Sequence, residues 1–291
     1  MVNLKYISSN GKEFDLHDFD SAKLFKADFH KVEWTPEVTQ KQYGTTINRF
    51  KKPAQKYDCT FRFKGDQVQR KTQIDDFIFE TENDIAKVTP GRIYWNNQYI
   101  EVYFDSHDCY PIDSGIAWTE LEGIFYAPFP FWLEDVMIHI DPEASYDQGG
   151  VLPEDVKGYP LNRDISYAYT YSYPYDGSSG VIFVDSPIGA DFSVVVYGPV
   201  SGVKINIAGN NYQINYPLRL GQRLIVDSRD TLKLDKKCYV INEDETETNV
   251  FDYRDPTSSL FKRIPGGNVV IYSNTPYKMD LTVYLERSAP I

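Results

Sequence analysis

The first half of the chain alternates apolar and polar positions in short runs around one segment with helical spacing. From Lys56 to Phe63 every second residue is apolar, which predicts a strand with one buried face. Asp66 then stands as a helix N-cap with Gln69 three residues later. The apolar stripe that follows consists of Ile74, Phe77, Ile78 and Ile85. The pattern predicts one helix, ended by Pro90, that packs on one side of a sheet.

Two further strand patterns follow this helix. Residues 92–104 hold two alternating runs around Asn96-Asn97, and asparagine tolerates positive φ, so a two-residue hairpin turn is expected. Another strand is predicted from Trp118 to Tyr126, before the aromatic and proline-rich run that ends at Trp132.

The pattern loosens from Leu133 to about Arg163, where prolines, glycines and acidic residues interrupt it. This composition indicates a domain boundary. We therefore predict a first domain at residues 1–135, a linker at 136–160 and a second domain at 161–291. Val136–Ile140 is apolar enough to form a strand on either side of that boundary.

The second half has no good helical pattern and reads as a train of short strands. They are predicted at 181–184, 193–197, 203–208, 212–216, 223–226, 231–234, 269–272 and 278–286. Short strands with turn signals at this spacing are typical of an antiparallel β-sandwich. The chain as a whole is predicted to be mainly β, with a sandwich or barrel and one α-helix in its first half.

Composition and charge exclude several classes of function. The net charge is −12 and the pI is near 4.8, so the chain lacks the positive field that holds nucleic acid or anionic membranes. No signal peptide and no membrane span are expected, which places synthesis in a cytoplasm. The 23 tyrosines and 17 phenylalanines instead favour β structure and broad contact surfaces.

Catalytic motifs are missing from the sequence. It contains no nucleophile elbow, no zinc-binding helix, no P-loop and no Cys-x-x-Cys pair. His107-Asp108-Cys109 resembles a reactive cluster, but adjacent residues of a strand point to opposite faces and cannot converge. Cys59 falls on the apolar face of the strand predicted from Lys56 to Phe63, so the simplest interpretation is a small buried side chain with no reactive role. We therefore expect no enzyme activity, no cofactor and no metal.

Two segments stand out as candidate binding surfaces. In the first, alternate residues place four tyrosines on one face of an extended segment: Tyr167, Tyr169, Tyr171 and Tyr173. They could form a platform for a partner subunit or for sugar stacking, or simply a tyrosine-rich strand of the fold. The second is the acidic loop 242–248, which is either a solvated connection or an anionic lining that faces a channel.

An ordered set of blocks in the second half resembles distal tail proteins of long, non-contractile phage tails. It runs through Ser193–Gly198, Val203–Ile207, Tyr212–Ile214, Leu220–Arg229 and Leu232–Leu234, and then through Ser259–Asn268 and Leu281–Arg287. The family shows the same order: a strand ending in glycine, a hairpin, an apolar block ending in aspartate, a Pro-Gly-x-Asn turn and a closing apolar strand. The first half resembles the family through its strands, its single helix and the run from Phe125 to Trp132.

The resemblance implies a structural protein of the virion tail tip. Its first domain would assemble into a six-membered ring, and its second would be a galectin-like sandwich. The ring would join the tail-tube protein to the tail-tip hub, a lysin or fibre protein, and could also hold receptor-binding proteins. DNA would pass through its central channel without specific binding. The alternatives are a carbohydrate-binding module or glycan-active protein, and a surface adhesin subunit, which would need an export signal.

Overall fold

The chain folds into two compact units. The computed structural model describes residues 3–18, 22–109, 118–140, 179–229, 237–273 and 278–291. Unit 1 comprises Met1–Glu134 together with Glu286–Ile291, and unit 2 comprises Asp135–Leu285. The last residues of the chain therefore belong to the same unit as the first. The predicted tyrosine surface, Tyr167 to Tyr173, lies outside the described residues.

The described part of unit 1 begins with ten strands and one helix, and the end of a later strand also belongs to it. In chain order they are β1 (Leu4–Ile7), β2 (Glu13–Asp15), β3 (Lys23–Ala27), β4 (Thr35–Gln40), β5 (Thr45–Lys51), β6 (Gln55–Lys64), α1 (Gln67–Ala86), β7 (Gly91–Trp95), β8 (Gln98–Cys109), β9 (Trp118–Ala127) and β10 (Trp132–Ile140), the last of which continues into unit 2.

The long strand β8 connects the two sheets of unit 1. Its first part pairs with β7, which pairs with β1 and through it with β2. Its second part pairs with β9, which pairs with β6 and through it with β3. The change of register between Phe104 and Ser106 marks a bulge where the strand passes from one sheet to the other.

Local sequence signals fix two elements of unit 1 as predicted. Asp66 caps α1, and its carboxylate and the Gln69 side chain each accept a bond from the other residue's backbone N–H. Asn96 has a φ of 57°, and Trp95 pairs with Gln98, so the two-residue hairpin turn is confirmed.

Aromatic rings fill the core of unit 1. Phe77 of α1 lies 4.9 Å from Phe61, 5.2 Å from Phe14 and 5.5 Å from Phe104, measured between ring centres. The alternation that predicted β6 is reproduced, since Tyr57, Cys59, Phe61 and Phe63 are all buried. Burial raises the pKa of the Cys59 thiol, as expected for a cysteine that serves as a small apolar side chain.

Unit 2 is an antiparallel sandwich of two sheets. Its further strands are β11 (Ser179–Val184), β12 (Asp191–Tyr197), β13 (Val203–Ile207), β14 (Asn210–Ile214), β15 (Arg223–Asp227), β16 (Lys237–Ile241), β17 (Glu247–Asn249), β18 (Gly267–Ser273) and β19 (Met279–Arg287), the last of which ends in unit 1. One sheet has the order β17-β16-β15-β12-β19, and the other has the order β11-β18-β13-β14. A single 3₁₀ turn, Phe251–Tyr253, lies among the described residues of this unit.

The mainly β fold with one α-helix in the described residues is confirmed. In the second half, seven of the predicted strands correspond to observed ones, with ends that shift by up to two residues. The strand predicted at 231–234 lies outside the described residues. The sequence patterns gave no prediction for β1 to β5, β16 and β17.

Candidate assembly surface

The strongest candidate for a functional surface is the β4–β5 hairpin of unit 1. The two strands pair only with each other in the described part of the chain. Every residue from Thr35 to Lys51 is exposed except the partly buried Glu37. Because a lone two-stranded hairpin is marginally stable in water, an arm of this kind is typical of a surface that another molecule covers.

One face of this hairpin is apolar. Val38 lies opposite Ile47, and Phe50 lies opposite Pro36, so the four side chains share a face. Val38, Ile47 and Phe50 keep 46%, 54% and 56% of their surface exposed. Apolar side chains gathered on an exposed strand face indicate a contact site for another protein surface.

The opposite face of the hairpin is charged. Glu37 forms ion pairs with both Arg49 and Lys51. The hydrogen bonds from these two cations lower the pKa of Glu37. With Lys41 at the turn, the hairpin carries more basic than acidic residues in a chain that is acidic overall.

The base of the hairpin is held by an ammonium group between aromatic rings. Trp34 comes directly before β4, and Lys52 comes directly after β5. Lys52 Nζ lies 4.4 Å from the centre of the Phe131 ring and 6.0 Å from that of Trp34, and it donates a hydrogen bond of 3.2 Å to the Ser288 carbonyl. Cation–π contacts of this kind stabilise a partly desolvated ammonium group. The hairpin is thereby tied to the C-terminal segment of unit 1.

We expect Lys52 to react with amine reagents at unusually low pH. Burial lowers the pKa of Lys52 to about 8. The negative charge of Glu286 raises this pKa, but by less than burial lowers it. At pH 8 about half of the Lys52 amines are then neutral, roughly a hundred times the fraction for a typical lysine. Acetic anhydride labelling, followed residue by residue with mass spectrometry, should show a rate for Lys52 that climbs through pH 8. A rate that climbs only near pH 10 would contradict this, and Glu286→Gln should move the midpoint to lower pH.

The helix α1 presents a second unusual surface, because it buries charged side chains and exposes apolar ones. Arg70 and Asp84 are 1% and 0% exposed, whereas Val68 and Phe79 are 74% and 64% exposed. Ile85, which the spacing placed on the packed face, is 43% exposed, so that part of the prediction is wrong.

Polar contacts with the strand β1 and the turn after it explain this inversion. The Tyr6 hydroxyl donates to Asp84, and the Ser9 N–H donates to the same carboxylate at 2.8 Å. The Ser8 hydroxyl and the Asn10 amide each donate to Glu80 at 3.0 Å. These bonds replace the water that the buried carboxylates lose. Burial and the bond to Asp84 raise the pKa of Tyr6.

The exposed side of α1 is complementary in charge to the hairpin. Asp75, Asp76 and Glu82 are exposed around Phe79. Asp76 forms an ion pair of 3.2 Å with Lys12, and both side chains remain largely in solvent. The hairpin thus offers an apolar face with basic residues, and the helix offers an apolar face with acidic ones.

The other candidate residues lie on β8 and around the β16–β17 turn. His107 stacks on Phe104 with an angle of 8° between the rings, and Cys109 is partly buried with its thiol pKa raised by burial. No group of three or more metal-binding side chains occurs among the described residues.

The acidic loop 242–248 forms the turn between β16 and β17 and the start of β17, and it is largely exposed. Among helices of the described ranges, none is both long and apolar enough to span a bilayer.

Comparison with known proteins connects this fold to phage tails. No protein-family model matches the chain, and no curated protein sequence matches it. The structure of phage SPP1 Dit, described as a paradigm of the hub adsorption apparatus of phages that infect Gram-positive bacteria, matches with a TM-score of 0.61 and 10% identity over 98% of this chain and 99% of that one.

Two structures of the phage P2 baseplate in its activated conformation match equally well. The structure with Ca has a TM-score of 0.61 and 12% identity, and the structure with Sr has a TM-score of 0.61 and 14% identity, each over 99% of both chains. Identities this low establish a shared fold and leave function to be argued from the residues. The chain therefore has the fold of SPP1 Dit and of a phage P2 baseplate protein over nearly its whole length.

Proposed function

We propose that this protein is a structural subunit of a phage tail tip, which assembles with copies of itself into a six-membered ring. The observation that carries the proposal is the largely exposed β4–β5 hairpin with its apolar face, in a fold shared with SPP1 Dit. Exposed apolar surfaces of this kind are typical of sites that another molecule covers. The number six comes from the family resemblance.

A ring of identical copies needs two different surfaces on each copy, since a head-to-tail contact joins one surface to the other. The hairpin and the exposed side of α1 supply such a pair. Both expose large apolar side chains, such as Phe50 and Phe79. The basic residues of the hairpin and the acidic residues of α1 favour their mutual approach. We propose that the hairpin of one copy covers the helix of the next.

The partners of the ring are proposed from the same resemblance. The tail-tube protein would contact one side of the ring, and the tail-tip hub, with any receptor-binding proteins, would contact the other. The net charge of −12 supports a channel through which DNA slides without being held, because like charges repel along its wall. The exposed apolar and charged side chains of the β4–β5 hairpin and of α1 support a structural role.

The mass of the full-length protein in solution tests the ring proposal. Multi-angle light scattering at micromolar concentration should show a particle of six 33.6 kDa chains. The particle should persist in moderate salt, because apolar contacts are not screened as charges are. A strict monomer, alone and in the presence of tail-tube protein, would overturn the proposal.

A further inference from the structure

A polar groove lies on unit 2 and includes part of the acidic loop 242–248. Three segments form it: the end of β12 at Tyr197-Gly198, the turn Gly221–Arg223 before β15, and the loop Asn242–Glu245 between β16 and β17. Its volume is about 220 Å³. This is below the ~300–1,000 Å³ of pockets that enclose drug-sized ligands, so the groove suits one small ring.

The side chains of the groove are held in place by bonds to one another. The Gln222 amide donates to the Asn242 carbonyl oxygen at 2.8 Å and accepts from the Arg219 N–H at 2.7 Å. Arg223 donates to both carboxylate oxygens of Glu245, at 3.1 and 2.8 Å. Groups that are already oriented lose little freedom when a ligand binds.

One aromatic ring completes the groove. The Tyr197 hydroxyl donates to Asp280 at 2.7 Å, which fixes the ring, and Lys278 Nζ lies 5.9 Å from the ring centre. The face of an aromatic ring carries partial negative charge and attracts C–H groups of a saturated ring. The groove therefore combines a fixed apolar surface with fixed hydrogen-bonding groups.

Glycine at position 221 allows this arrangement. Gly221 has a φ of 82°, and a side chain there would come within 2.7 Å of the Glu243 side chain. Only glycine adopts this backbone region without strain while leaving Glu243 in place. Glu243 is exposed, and the structure gives it no hydrogen bond or ion pair within the described residues, so its carboxylate can accept bonds from a ligand.

The chemistry of these groups selects the ligand. Two amides, a guanidinium–carboxylate pair and a carboxylate offer both donors and acceptors, which match the hydroxyl groups of a sugar. The ring of Tyr197 matches the C–H face of a pyranose. The acidic rim formed by Glu243 and Asp244 repels phosphorylated and carboxylated sugars. We propose that this groove binds a neutral pyranose unit, with one ring face on Tyr197 and its hydroxyls on Gln222, Asn242 and Glu243.

Saturation-transfer NMR on the full-length protein tests the proposal, because the method works for large assemblies. The probes are glucose, galactose, rhamnose and N-acetylglucosamine, with glucuronate as the acidic comparison. We expect at least one neutral sugar to bind with a Kd on the order of millimolar, as is typical of a shallow site for one ring. Glucuronate should bind at least several times more weakly.

Matched variants connect binding to the groove. Tyr197→Ala should weaken sugar binding about tenfold, whereas Tyr197→Phe, which keeps the ring, should stay within about threefold of the original protein. Glu243→Gln should change the preference among the sugars, and Glu247→Gln, an equal charge change on exposed β17, should change nothing. Circular dichroism confirms that each variant is folded.

Two outcomes would overturn the proposal. One is no saturation transfer from any neutral sugar at about ten times the expected Kd. The other is transfer that persists in folded Tyr197→Ala, which would place the sugar elsewhere. Neither outcome bears on the ring, whose test is the mass of the particle.

Discussion

Replacing Val38, Ile47 and Phe50 with serine should convert the assembled protein into monomers without unfolding it. These side chains form the apolar face of the β4–β5 hairpin and are not part of the buried core, since each is about half exposed. If a neighbouring copy covers them, their loss removes about 3 kcal/mol or more of association free energy, or at least a hundredfold in affinity. Sedimentation velocity at several concentrations measures this directly.

The opposite face of the hairpin provides the matched control. Thr39 lies opposite Thr46 on that face, and replacing both with alanine changes the hairpin without touching its apolar side. This variant should assemble as the original protein does. If the serine variant also assembled normally, the hairpin would not be the contact surface. If both variants dissociated, hairpin stability rather than its apolar face would be responsible.

Phe77→Ala should destabilise unit 1 by about 3–5 kcal/mol. Phe77 is completely buried, and its ring contacts those of Phe14, Phe61 and Phe104 at 5.2, 4.9 and 5.5 Å. Truncation removes all of these contacts and leaves a cavity between α1 and the sheet. Urea denaturation followed by circular dichroism measures the loss, with unit 2 expected to unfold independently.

Phe79 on the same helix is the comparison for that variant. It is 64% exposed, so Phe79→Ala should change the free energy of unfolding by no more than about 0.5 kcal/mol. It should weaken assembly instead, if α1 receives the hairpin of the next copy. Equal destabilisation by the two substitutions would contradict the arrangement of α1 described above.

Much of the fold could be predicted because local signals agreed with the tertiary structure. The cap at Asp66, the turn at Asn96 and the alternation from Tyr57 to Phe63 each depend on neighbouring residues and on burial of one face. The strands of unit 2 followed for the same reason. The β4–β5 hairpin was missed because its apolar residues are exposed, and the bulge that leaves Asn48 without a partner breaks the alternation between Ile47 and Phe50.

The surface of α1 could not be predicted for a different reason. Apolar spacing assigns Ile85 to the packed side, but Asp84 is buried there through partners on β1 and beyond, about 75 residues earlier in the chain. Hydrogen bonds between distant segments leave no periodic pattern in the sequence. The groove on unit 2 is likewise assembled from three separate turns. Interpretations of the tyrosine segment, Tyr167 to Tyr173, remain predictions.

The return of Glu286–Ile291 to unit 1 has a consequence for synthesis of the protein. Unit 1 is divided in sequence, with unit 2 inserted between its two parts. A ribosome releases all of unit 2 before it releases Ser288, whose carbonyl accepts the Lys52 bond, and Ile291, whose N–H donates to the Gln98 side chain. Domains generally fold as they emerge, so unit 2 can be nearly complete while unit 1 still lacks its last segment, Glu286–Ile291. The contact between Lys52 at the base of the hairpin and Ser288 therefore forms only after unit 2 has been released, so a surface proposed for assembly is completed late in folding.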